Sequence, residues 1–433
     1  MNPQAEKLNK VIVDNNPALF DMLSSKAQGI FFPWSGILGQ SGEAKGKKYN
    51  ATIGIACEDD GSPMRLNALS ELVNLSAPEV FPYAPSFGNP KLRQTWKDML
   101  VKKNPSLDGK SISVPVVTQA LTHGLSLSAF MFLNEGDEIV IPTPYWGNYN
   151  LLYRNAAGAN ISTFPCFKDN SSFDLEALAK VLEERQGKKV VLLLNFPNNP
   201  TGYTPTEEEM TSIAALIKGA GEKGTKVVTL IDDAYFGLVY EKGIAQESIF
   251  AKLADIHENV LAVKIDGATK EDYVWGLRVG FMTFGIKGAG EEVYKAIADK
   301  LAGAIRGLIS NCSNLSQSLL LKAYTAPDYD AQKESKYVMM KERYEVLRDV
   351  LAEKKEYEEA YVALPYNSGY FMCVKPKGNL AAEDIRKVLL EKYDTGIIAQ
   401  GDLVRIAFSA IPAESIPVVM ENIYKACKEV AAK

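Results

Sequence analysis

From residue 114 onward the sequence alternates between strand-like and helix-like segments. The strand-like segments are short apolar runs, and the helix-like segments have the apolar spacing of amphipathic helices. Several of the strands are apolar throughout, so both of their faces are expected to be covered. This pattern predicts an α/β fold with a mostly parallel central sheet flanked by helices. The predicted strands are 114–118, 138–142, 160–164, 190–195, 226–231, 260–265 and 279–284, and the predicted helices are 122–133, 147–155, 175–184 and 206–218.

The segments before and after this alternation predict a second, smaller α+β domain. A chain of 433 residues is long for a single hydrophobic core. We predict a large domain over residues 51–312 and a small domain built from residues 1–50 and 313–433. The remaining predicted elements are a helical opening up to residue 26, an irregular segment at 28–50, strands at 51–57, 370–374 and 404–408, and helices at 64–75, 90–101, 328–354, 382–392 and 415–432.

The composition argues against several classes of function. With 46% hydrophobic and 23% charged residues, the chain resembles an ordinary soluble protein. A net charge of −5 without a basic tract argues against a nucleic-acid partner. The opening residues are polar and no apolar run is long enough to cross a bilayer, so we expect neither a signal peptide nor a membrane anchor.

Cysteine and histidine usage narrows the chemistry. The five cysteines are scattered and form no close pair, which favours a reducing compartment. We therefore expect a cytoplasmic protein without disulfides or zinc. The two histidines, His123 and His257, lack a metal-ligand spacing, so no metal site is predicted. Catalysis would then depend on Lys, Asp, Tyr and Arg side chains.

Polar and aromatic residues follow five of the predicted strands, at the sheet edge where α/β proteins bind ligands. Taken singly, each has an ordinary explanation, such as a helix cap, a packed aromatic ring or a surface lysine. Together they supply an amine, an acid, hydrogen-bond donors, an aromatic face and a phosphate cup. A phosphorylated pyridine aldehyde needs this set of groups. The residues are Leu121 and Thr122, Trp146, Asn199, Asp232 with Tyr235, and Lys270 with Arg278.

The order and spacing of these motifs resemble the class I and II aminotransferases of pyridoxal-phosphate fold type I, and most of all the aspartate aminotransferase group. The resemblance runs from about Ile53 to Arg405. It implies a pyridoxal 5'-phosphate cofactor and transfer of an amino group between an L-amino acid and a 2-oxo acid such as 2-oxoglutarate. Aspartate, glutamate or an aromatic amino acid is the implied donor. The resemblance also implies a homodimer with composite active sites.

The resemblance gives five residues a role around the cofactor ring. Lys270 would form the Schiff base with the cofactor aldehyde and move the proton during transfer. Asp232 would pair with the pyridine nitrogen, and Tyr235 with Asn199 would bond the ring hydroxyl. Trp146 would stack on the ring. Lys270, Asp232 and Tyr235 are thus the predicted catalytic residues.

The same resemblance assigns the phosphate and substrate contacts. The Leu121 amide, Thr122 and Arg278 would hold the phosphate, and Tyr83 would reach the phosphate of a neighbouring subunit. On the substrate side, Trp146, Asn199 and the Gly54 backbone would contact the amino acid, and Arg405 would grip its α-carboxylate by a planar two-point contact. Arg306 would cross the dimer interface to bind a distal carboxylate, although it also has an ordinary explanation as a solvated helix residue.

The chain departs from the family pattern at three positions. Gly267 stands where a serine is usual, so one phosphate hydroxyl is missing or is replaced by Thr269. Ala120 stands where a glycine is common, and Tyr149 stands where aspartate aminotransferases place a histidine behind the pyridine-pairing acid. Phosphate binding and ring electronics are therefore expected to differ from those of the group.

Two other classes of function remain open at this stage. A lyase, decarboxylase or synthase of the same fold type would share Lys270, Asp232 and Arg405 but would release a fragment of its substrate. A non-enzymatic ligand-binding or regulatory protein could keep the fold, although the full set of cofactor-facing residues argues against it. Product analysis separates these classes from an aminotransferase.

Overall fold

The computed structural model describes residues 1–33, 36–70, 75–378 and 380–432. Its strands and helices are numbered here in chain order. The strands are β1 (Tyr49–Asn50), β2 (Val116–Thr118), β3 (Glu138–Thr143), β4 (Asn160–Pro165), β5 (Phe167–Lys168), β6 (Ser172–Phe173), β7 (Lys189–Asn195), β8 (Lys226–Asp232), β9 (Val260–Asp266), β10 (Gly280–Gly285), β11 (Tyr361–Ala363), β12 (Phe371–Pro376), β13 (Thr395–Gly396), β14 (Ile398–Gln400) and β15 (Leu403–Ala407).

Helices occupy most of the remaining described chain. A π-helix at Asn150–Ala156 lies between β3 and β4. The α-helices are α1 (Pro3–Asn15), α2 (Pro17–Met22), α3 (Ser25–Gly29), α4 (Ile37–Glu43), α5 (Asn67–Ser70), α6 (Ala77–Val80), α7 (Pro90–Lys103), α8 (Ala120–Phe132), α9 (Leu175–Glu183), α10 (Glu207–Glu222), α11 (Ile249–Leu253), α12 (Ala268–Glu271), α13 (Glu291–Leu308), α14 (Asn314–Tyr324), α15 (Tyr329–Glu353), α16 (Ala382–Lys392) and α17 (Ile416–Ala431).

Seven strands form the main sheet, in the order β2, β10, β9, β8, β7, β3, β4. The pairs from β9 to β4 are parallel, whereas β10 runs antiparallel to both of its neighbours. All six residues of β10 are buried, and so are all but the first residue of β7. Consecutive strand residues point to opposite faces, so both faces of the sheet are covered. The predicted α/β fold with a mostly parallel sheet is confirmed.

Local sequence signals set the helices that cover this sheet. Thr206 begins α10 with a capping box: its hydroxyl accepts from the Glu209 N–H at 3.1 Å, and the Glu209 carboxylate accepts from the Thr206 N–H at 2.8 Å. Two of the first backbone donors of the helix are satisfied in this way. Met210, Ile213 and Ile217, at helical spacing, then bury one face of α10.

A second, antiparallel sheet has the order β11, β12, β15, β14. The N-terminal segment packs on this part of the chain, because β1 pairs in parallel with β13. Gln40 of α4 also holds the backbone of Ala399 from both sides, donating to its carbonyl at 2.9 Å and accepting from its N–H at 2.8 Å. Such contacts are expected if residues 1–50 and 313–433 form one small domain. The boundaries of this domain stay a prediction.

Three predicted elements differ in the structure. The apolar run at 51–57 is not a strand, because its backbone hydrogen bonds do not continue along one neighbouring strand. Ala51 donates to the Gly396 carbonyl of β13 and accepts from the Ala407 N–H, whereas the Thr52 carbonyl accepts from the Arg405 side chain. The segment 28–50, predicted as irregular, contains α4. Of the predicted helix 64–75, residues 67–70 are helical and 71–74 lie outside the described residues.

The turn after β7 is locked onto the segment before β12. The Gly202 carbonyl accepts from the N–H groups of Asn367 and Ser368, each at 2.9 Å. Gly202 has a φ of +74°, and a Cβ atom there would lie 1.9 Å from the Phe371 carbonyl oxygen. Only glycine therefore fits at this joint between the two sheets.

We expect Gly202→Ala to destabilise the protein by about 3 kcal/mol or more, because the methyl group would force two backbone segments apart. Gly237→Ala is the matched control. Gly237 has a φ of +83° but open space around its Cα. Gly237→Ala should therefore lower the stability only by the backbone strain of alanine in this conformation, about 1 kcal/mol. Thermal unfolding of the two variants measures the difference. Equal losses of Tm would contradict the close approach at Gly202.

Candidate functional site

A cavity of about 370 Å³ opens at the carboxyl ends of β7, β8 and β9. It brings together ten of the twelve residues that the sequence analysis selected. Neither Tyr83 nor Arg306 is among the residues that line it. The ten lining residues are Gly54, Leu121, Thr122, Trp146, Asn199, Asp232, Tyr235, Lys270, Arg278 and Arg405.

Strand register places the central residues of the site side by side. Asp232, the last residue of β8, lies opposite Asn195 of β7 and Ile265 of β9. After β9, the chain enters the four-residue helix α12, which carries Lys270. Parallel strands end at the same edge, so one acid and one amine reach the same cavity from neighbouring strands.

Asp232 is held by donors on two sides. It is 3% exposed, its Oδ2 accepts from the Tyr149 hydroxyl at 2.6 Å, and its Oδ1 accepts from the Ala234 N–H at 3.2 Å. Burial raises the pKa of Asp232, and the Tyr149 hydrogen bond and the nearby Lys270 charge act against that rise. Tyr149, noted in the sequence as a departure, is thus the residue directly behind the acid.

Lys270 lies in a desolvated environment. Burial, opposed by the charge of Asp232 and reinforced by that of Arg278, lowers the pKa of Lys270 to about 8. Its Nζ stands 5.1 Å from the centre of the Tyr235 ring, and its carbonyl accepts from the Tyr370 hydroxyl at 3.1 Å. Near pH 8 a substantial share of this amine is therefore neutral, which is the form that attacks an aldehyde.

Arg405 is a buried cation, only 1% exposed. One Nη donates to the Thr52 carbonyl at 2.9 Å and the other to Asn199 Oδ1 at 3.3 Å, while its guanidinium carbon lies 4.2 Å from the centre of the Phe371 ring. Its Nε has no hydrogen-bond partner, and no Asp or Glu of the described residues forms an ion pair with it. A buried charge without a counter-ion is costly, so the guanidinium is suited to an anionic ligand.

Unused donors also gather at the other end of the cavity. Leu121 and Thr122 lie in the first turn of α8, where backbone N–H groups have no partner within the helix and favour an anion. Across from them, Arg278 donates to the Trp275 carbonyl at 3.3 Å. The Thr269 hydroxyl and the Trp275 indole N–H line the cavity and, among the described residues, have no hydrogen-bond partner.

The absence of a serine at position 267 has a steric reason. A Cβ atom on Gly267 would lie 2.6 Å from the Gly280 Cα and 2.7 Å from the Val279 carbonyl oxygen. Any side chain there would have to displace the start of β10. The Thr269 hydroxyl, two residues further on, lines the cavity and has no hydrogen-bond partner among the described residues.

Three further residues that line or support the cavity escaped the sequence analysis. Asn195 donates to the Asp232 carbonyl at 2.8 Å and accepts from the Asn199 N–H at 2.8 Å, so it joins two site segments. Trp275 and Phe371 line the cavity. Asn195 ends a predicted strand and could have been found from that position, whereas nothing local marks the other two.

Tyr83 and Arg306 lie apart from the cavity. The Tyr83 side chain is 90% exposed. Arg306 is exposed in the last turn of α13, where it donates to the Ser310 hydroxyl at 2.6 Å. Their predicted contacts require a second chain, so their roles stay predictions.

The strand that leads to Lys270 carries a buried ion cluster. Lys264 of β9 is 1% exposed and pairs with Asp233, the residue after the site carboxylate, and with Asp266 at 3.4 Å. The Ser248 hydroxyl donates to Asp233 at 2.6 Å. These ion pairs and the hydrogen bond compensate the buried charges of Lys264, Asp233 and Asp266.

Two further carboxylates follow Lys270 directly. Glu271 pairs with Lys103 of α7 at 2.7 Å and with Lys333 of α15 at 2.6 Å. Although burial acts to raise it, the two lysines lower the pKa of Glu271 to about 2. Asp272 accepts from the Tyr324 hydroxyl at 2.8 Å and pairs with Lys333 at 3.3 Å. The short helix α12 is thereby fixed to three other helices.

The family model for aminotransferases of class I and II matches residues 52–423 of the chain. The chain belongs to this family. A probable N-acetyl-LL-diaminopimelate aminotransferase of Bacillus subtilis is 28% identical over 317 residues, which are 73% of this chain and 72% of that protein. An aspartate aminotransferase of Geobacillus stearothermophilus is 27% identical over 299 residues, 68% of this chain and 66% of that protein.

Solved aminotransferases share the fold. An aminotransferase from Anaerococcus prevotii has a TM-score of 0.83 at 24% identity, over 93% of this chain and 98% of that one. Aspartate aminotransferase from the cytoplasm of Saccharomyces cerevisiae has a TM-score of 0.74 at 20% identity, over 96% of this chain and 100% of that one. These likenesses show the fold, and the match to the family model confirms the resemblance to class I and II aminotransferases.

As a member of the class I and II aminotransferases, the protein is a pyridoxal 5'-phosphate enzyme that transfers an amino group between an amino acid and a 2-oxo acid. The comparisons give no support to the lyase alternative. The cavity fits this cofactor, since it offers an amine and a buried acid. At the end predicted to hold the phosphate it also offers hydrogen-bond donors that have no partner among the described residues.

Ala120 is strained at the start of α8, and this predicts an unusual substitution effect. Its φ of +60° lies in the left-handed region, which costs an alanine about 1–2 kcal/mol. We expect Ala120→Gly to stabilise the protein by about 0.5–1 kcal/mol after the entropy of glycine is counted. Ala129→Gly, within the same helix, should instead destabilise it by about 1 kcal/mol. Thermal unfolding measures both, and a loss of stability in Ala120→Gly would contradict the strain.

Proposed function

We propose that the protein moves an amino group from an L-amino acid to a 2-oxo acid such as 2-oxoglutarate, with Lys270, Asp232 and Tyr235 as its catalytic residues. Aspartate, glutamate and aromatic amino acids are the candidate donors. The observation that carries the proposal is the buried Arg405 without an acidic partner among the described residues, close to Lys270 in one cavity. Such a guanidinium matches the α-carboxylate that every donor carries.

In this proposal, residues around the ring control protons. When bound, pyridoxal 5'-phosphate supplies an electron sink for the substrate carbanion. Asp232 keeps a proton on the pyridine nitrogen, because it is buried and oriented by the Tyr149 hydroxyl. The neutral Lys270 amine takes the proton from the substrate α-carbon and later returns one. Tyr235 and Asn199 donate to the ring hydroxyl.

Other cavity residues bind and orient. The phosphate is held by the first turn of α8, at Leu121 and Thr122, and by Arg278. Trp146 covers the ring face. The Gly54 backbone contacts the substrate beside Arg405, which fixes the α-carboxylate so that the α-hydrogen faces Lys270.

We also propose a homodimer in which each chain completes the site of the other. Tyr83 would reach the partner's phosphate, and Arg306 would bind the distal carboxylate of a dicarboxylic donor. The high exposure of the Tyr83 side chain in a single chain supports the proposed dimer. The described residues contain no helix long and apolar enough to cross a bilayer. The cytoplasmic location stays a prediction.

Spectroscopy of the cofactor-loaded protein tests the proposal directly. Adding aspartate, glutamate, alanine or tyrosine without an oxo acid should bleach the visible cofactor band for one donor, and 2-oxoglutarate should restore it. Lys270→Ala should lower turnover by about 10⁴-fold or more, because both the amine and the proton carrier are lost. Lys322→Ala, on the surface of α14, is the control and should keep normal rates. Near-normal turnover in Lys270→Ala would end this assignment.

Arg306→Ala tests the composite site. If Arg306 binds a distal carboxylate, kcat/KM should fall by about tenfold or more for aspartate and stay unchanged for tyrosine. Lys300→Ala, also exposed on α13, is the matched control. An equal effect on both donors would remove Arg306 from the substrate site. Sedimentation of the wild type tests the dimer independently.

A further inference from the structure

A second, larger cavity adjoins the cofactor cavity. Its volume is about 1340 Å³, compared with about 370 Å³ for the cofactor cavity. Ile37, Leu38 and Trp146 line both cavities, so the two are neighbours across these side chains. We call the larger one the outer cavity. The outer cavity therefore lies within the width of one side chain of the cavity that contains Arg405.

Two parts of the chain enclose the outer cavity. One wall is the N-terminal segment, including α3 and the start of α4, and the other is formed by the π-helix at 150–156 and by β14. Most of the N-terminal wall precedes residue 52, where the match to the family model begins. About half of the lining of the outer cavity thus comes from residues that precede the family match.

The lining of the outer cavity is apolar along its walls and positively charged overall. Leu38, Leu151 and Ile398 provide aliphatic surface. The charged side chains in the lining are Lys26, Arg154 and Glu135. Within the part of the chain that the structure describes, neither Lys26 nor Arg154 forms an ion pair.

This combination matches one class of ligand. An aliphatic chain gains from contact with the apolar walls, and an anion at its end gains from two free cations. The side chain of glutamate, two methylene groups and a carboxylate, is short for a cavity of about 1340 Å³. A longer side chain would use both its volume and its charge.

We propose that the outer cavity binds the side chain of the amino donor, and that the preferred donor is an α-amino acid with an aliphatic side chain longer than that of glutamate and an anionic end held by Arg154 and Lys26. The inference rests on the proposed function, which places the α-carboxylate of the donor at Arg405, and it assigns the distal anion of these longer donors to Arg154 and Lys26 in place of Arg306. It makes Arg154 and Lys26 specificity-determining residues of this chain.

Donor preference of the loaded protein is the first measurement. The kcat/KM values of aspartate, glutamate, 2-aminoadipate and 2-aminopimelate should rise along the series, with 2-aminopimelate about tenfold or more above aspartate. In the double variant Arg154→Gln/Lys26→Gln this advantage should be lost, while the value for aspartate changes less than about twofold. Both side chains are exposed and unpaired among the described residues, so the variant should fold normally.

Two exposed cations outside the outer cavity serve as controls. Lys7→Gln removes an exposed lysine of α1, and Arg348→Gln removes an exposed arginine of α15. Neither residue lines the outer cavity. Both controls should keep the preference for long donors.

Binding without reaction gives a second readout. Pimelate and succinate are dicarboxylic acids without an amino group, so calorimetry on the loaded protein reports binding alone. Pimelate should bind about tenfold more tightly than succinate in the wild type and in both controls, and equally with it in the double variant. A pimelate affinity that is unchanged in the double variant would overturn the assignment of Arg154 and Lys26.

The kinetic outcomes separate this inference from the function on which it rests. A wild type that transfers the amino group of aspartate or tyrosine better than that of any longer acid overturns the outer-cavity assignment alone. A double variant that loses all donors equally does the same. If no donor of any length transfers its amino group, the proposed function itself fails.

Discussion

The position of Lys270 depends on buried ion pairs on both sides of it. A helix of four residues has almost no stability of its own, so α12 cannot orient a side chain unaided. Glu271 and Asp272 tie it to α7, α14 and α15, and the Lys264 cluster fixes the strand that precedes it. Removing one partner of such a pair leaves a buried charge and costs about 3–5 kcal/mol. The amine is thus placed by charges that never touch a substrate.

The same network joins the two sheets. Helix α15 contributes Lys333 near its start, and further along it packs beside the second sheet, where Arg343 donates to the Ser409 carbonyl at 2.6 Å. On the opposite side of the cavity, Gly202 locks the turn after β7 onto the segment before β12. The cavity therefore lies between two fixed joints. Arg405 lies in the second sheet and Lys270 follows a strand of the main sheet, yet the two side chains are held in a fixed relative position.

The sequence predicted the sheet well because its signals are local. Strands β7, β8 and β9 are nearly continuous apolar runs, and their ends coincide with the turns that carry Asn199, Asp232 and Lys270. The run at 51–57 is also apolar, but it does not form the predicted strand, since two of its carbonyls accept hydrogen bonds from the Arg405 side chain and from the end of β15. Hydrophobicity alone does not say which partner a backbone group finds.

The site was predictable where a residue is fixed by its own strand end, and less so where it depends on a distant partner. Tyr149 stands 83 residues from Asp232 in the chain, and its bond to that acid follows from the fold alone. The same holds for Phe371 under Arg405. Tyr83 and Arg306 are a third case, because their predicted partners belong to another chain.

The separation between the N-terminal wall and the cofactor residues has an evolutionary consequence. The N-terminal wall of the outer cavity lies within residues 1–40, whereas the residues that line the cofactor cavity come from positions 54–405, apart from Ile37 and Leu38. Substitutions in this wall can therefore reshape the outer cavity and leave the residues around Lys270 unchanged. If the outer cavity binds the donor side chain, the substrate range can change through substitutions in this one wall.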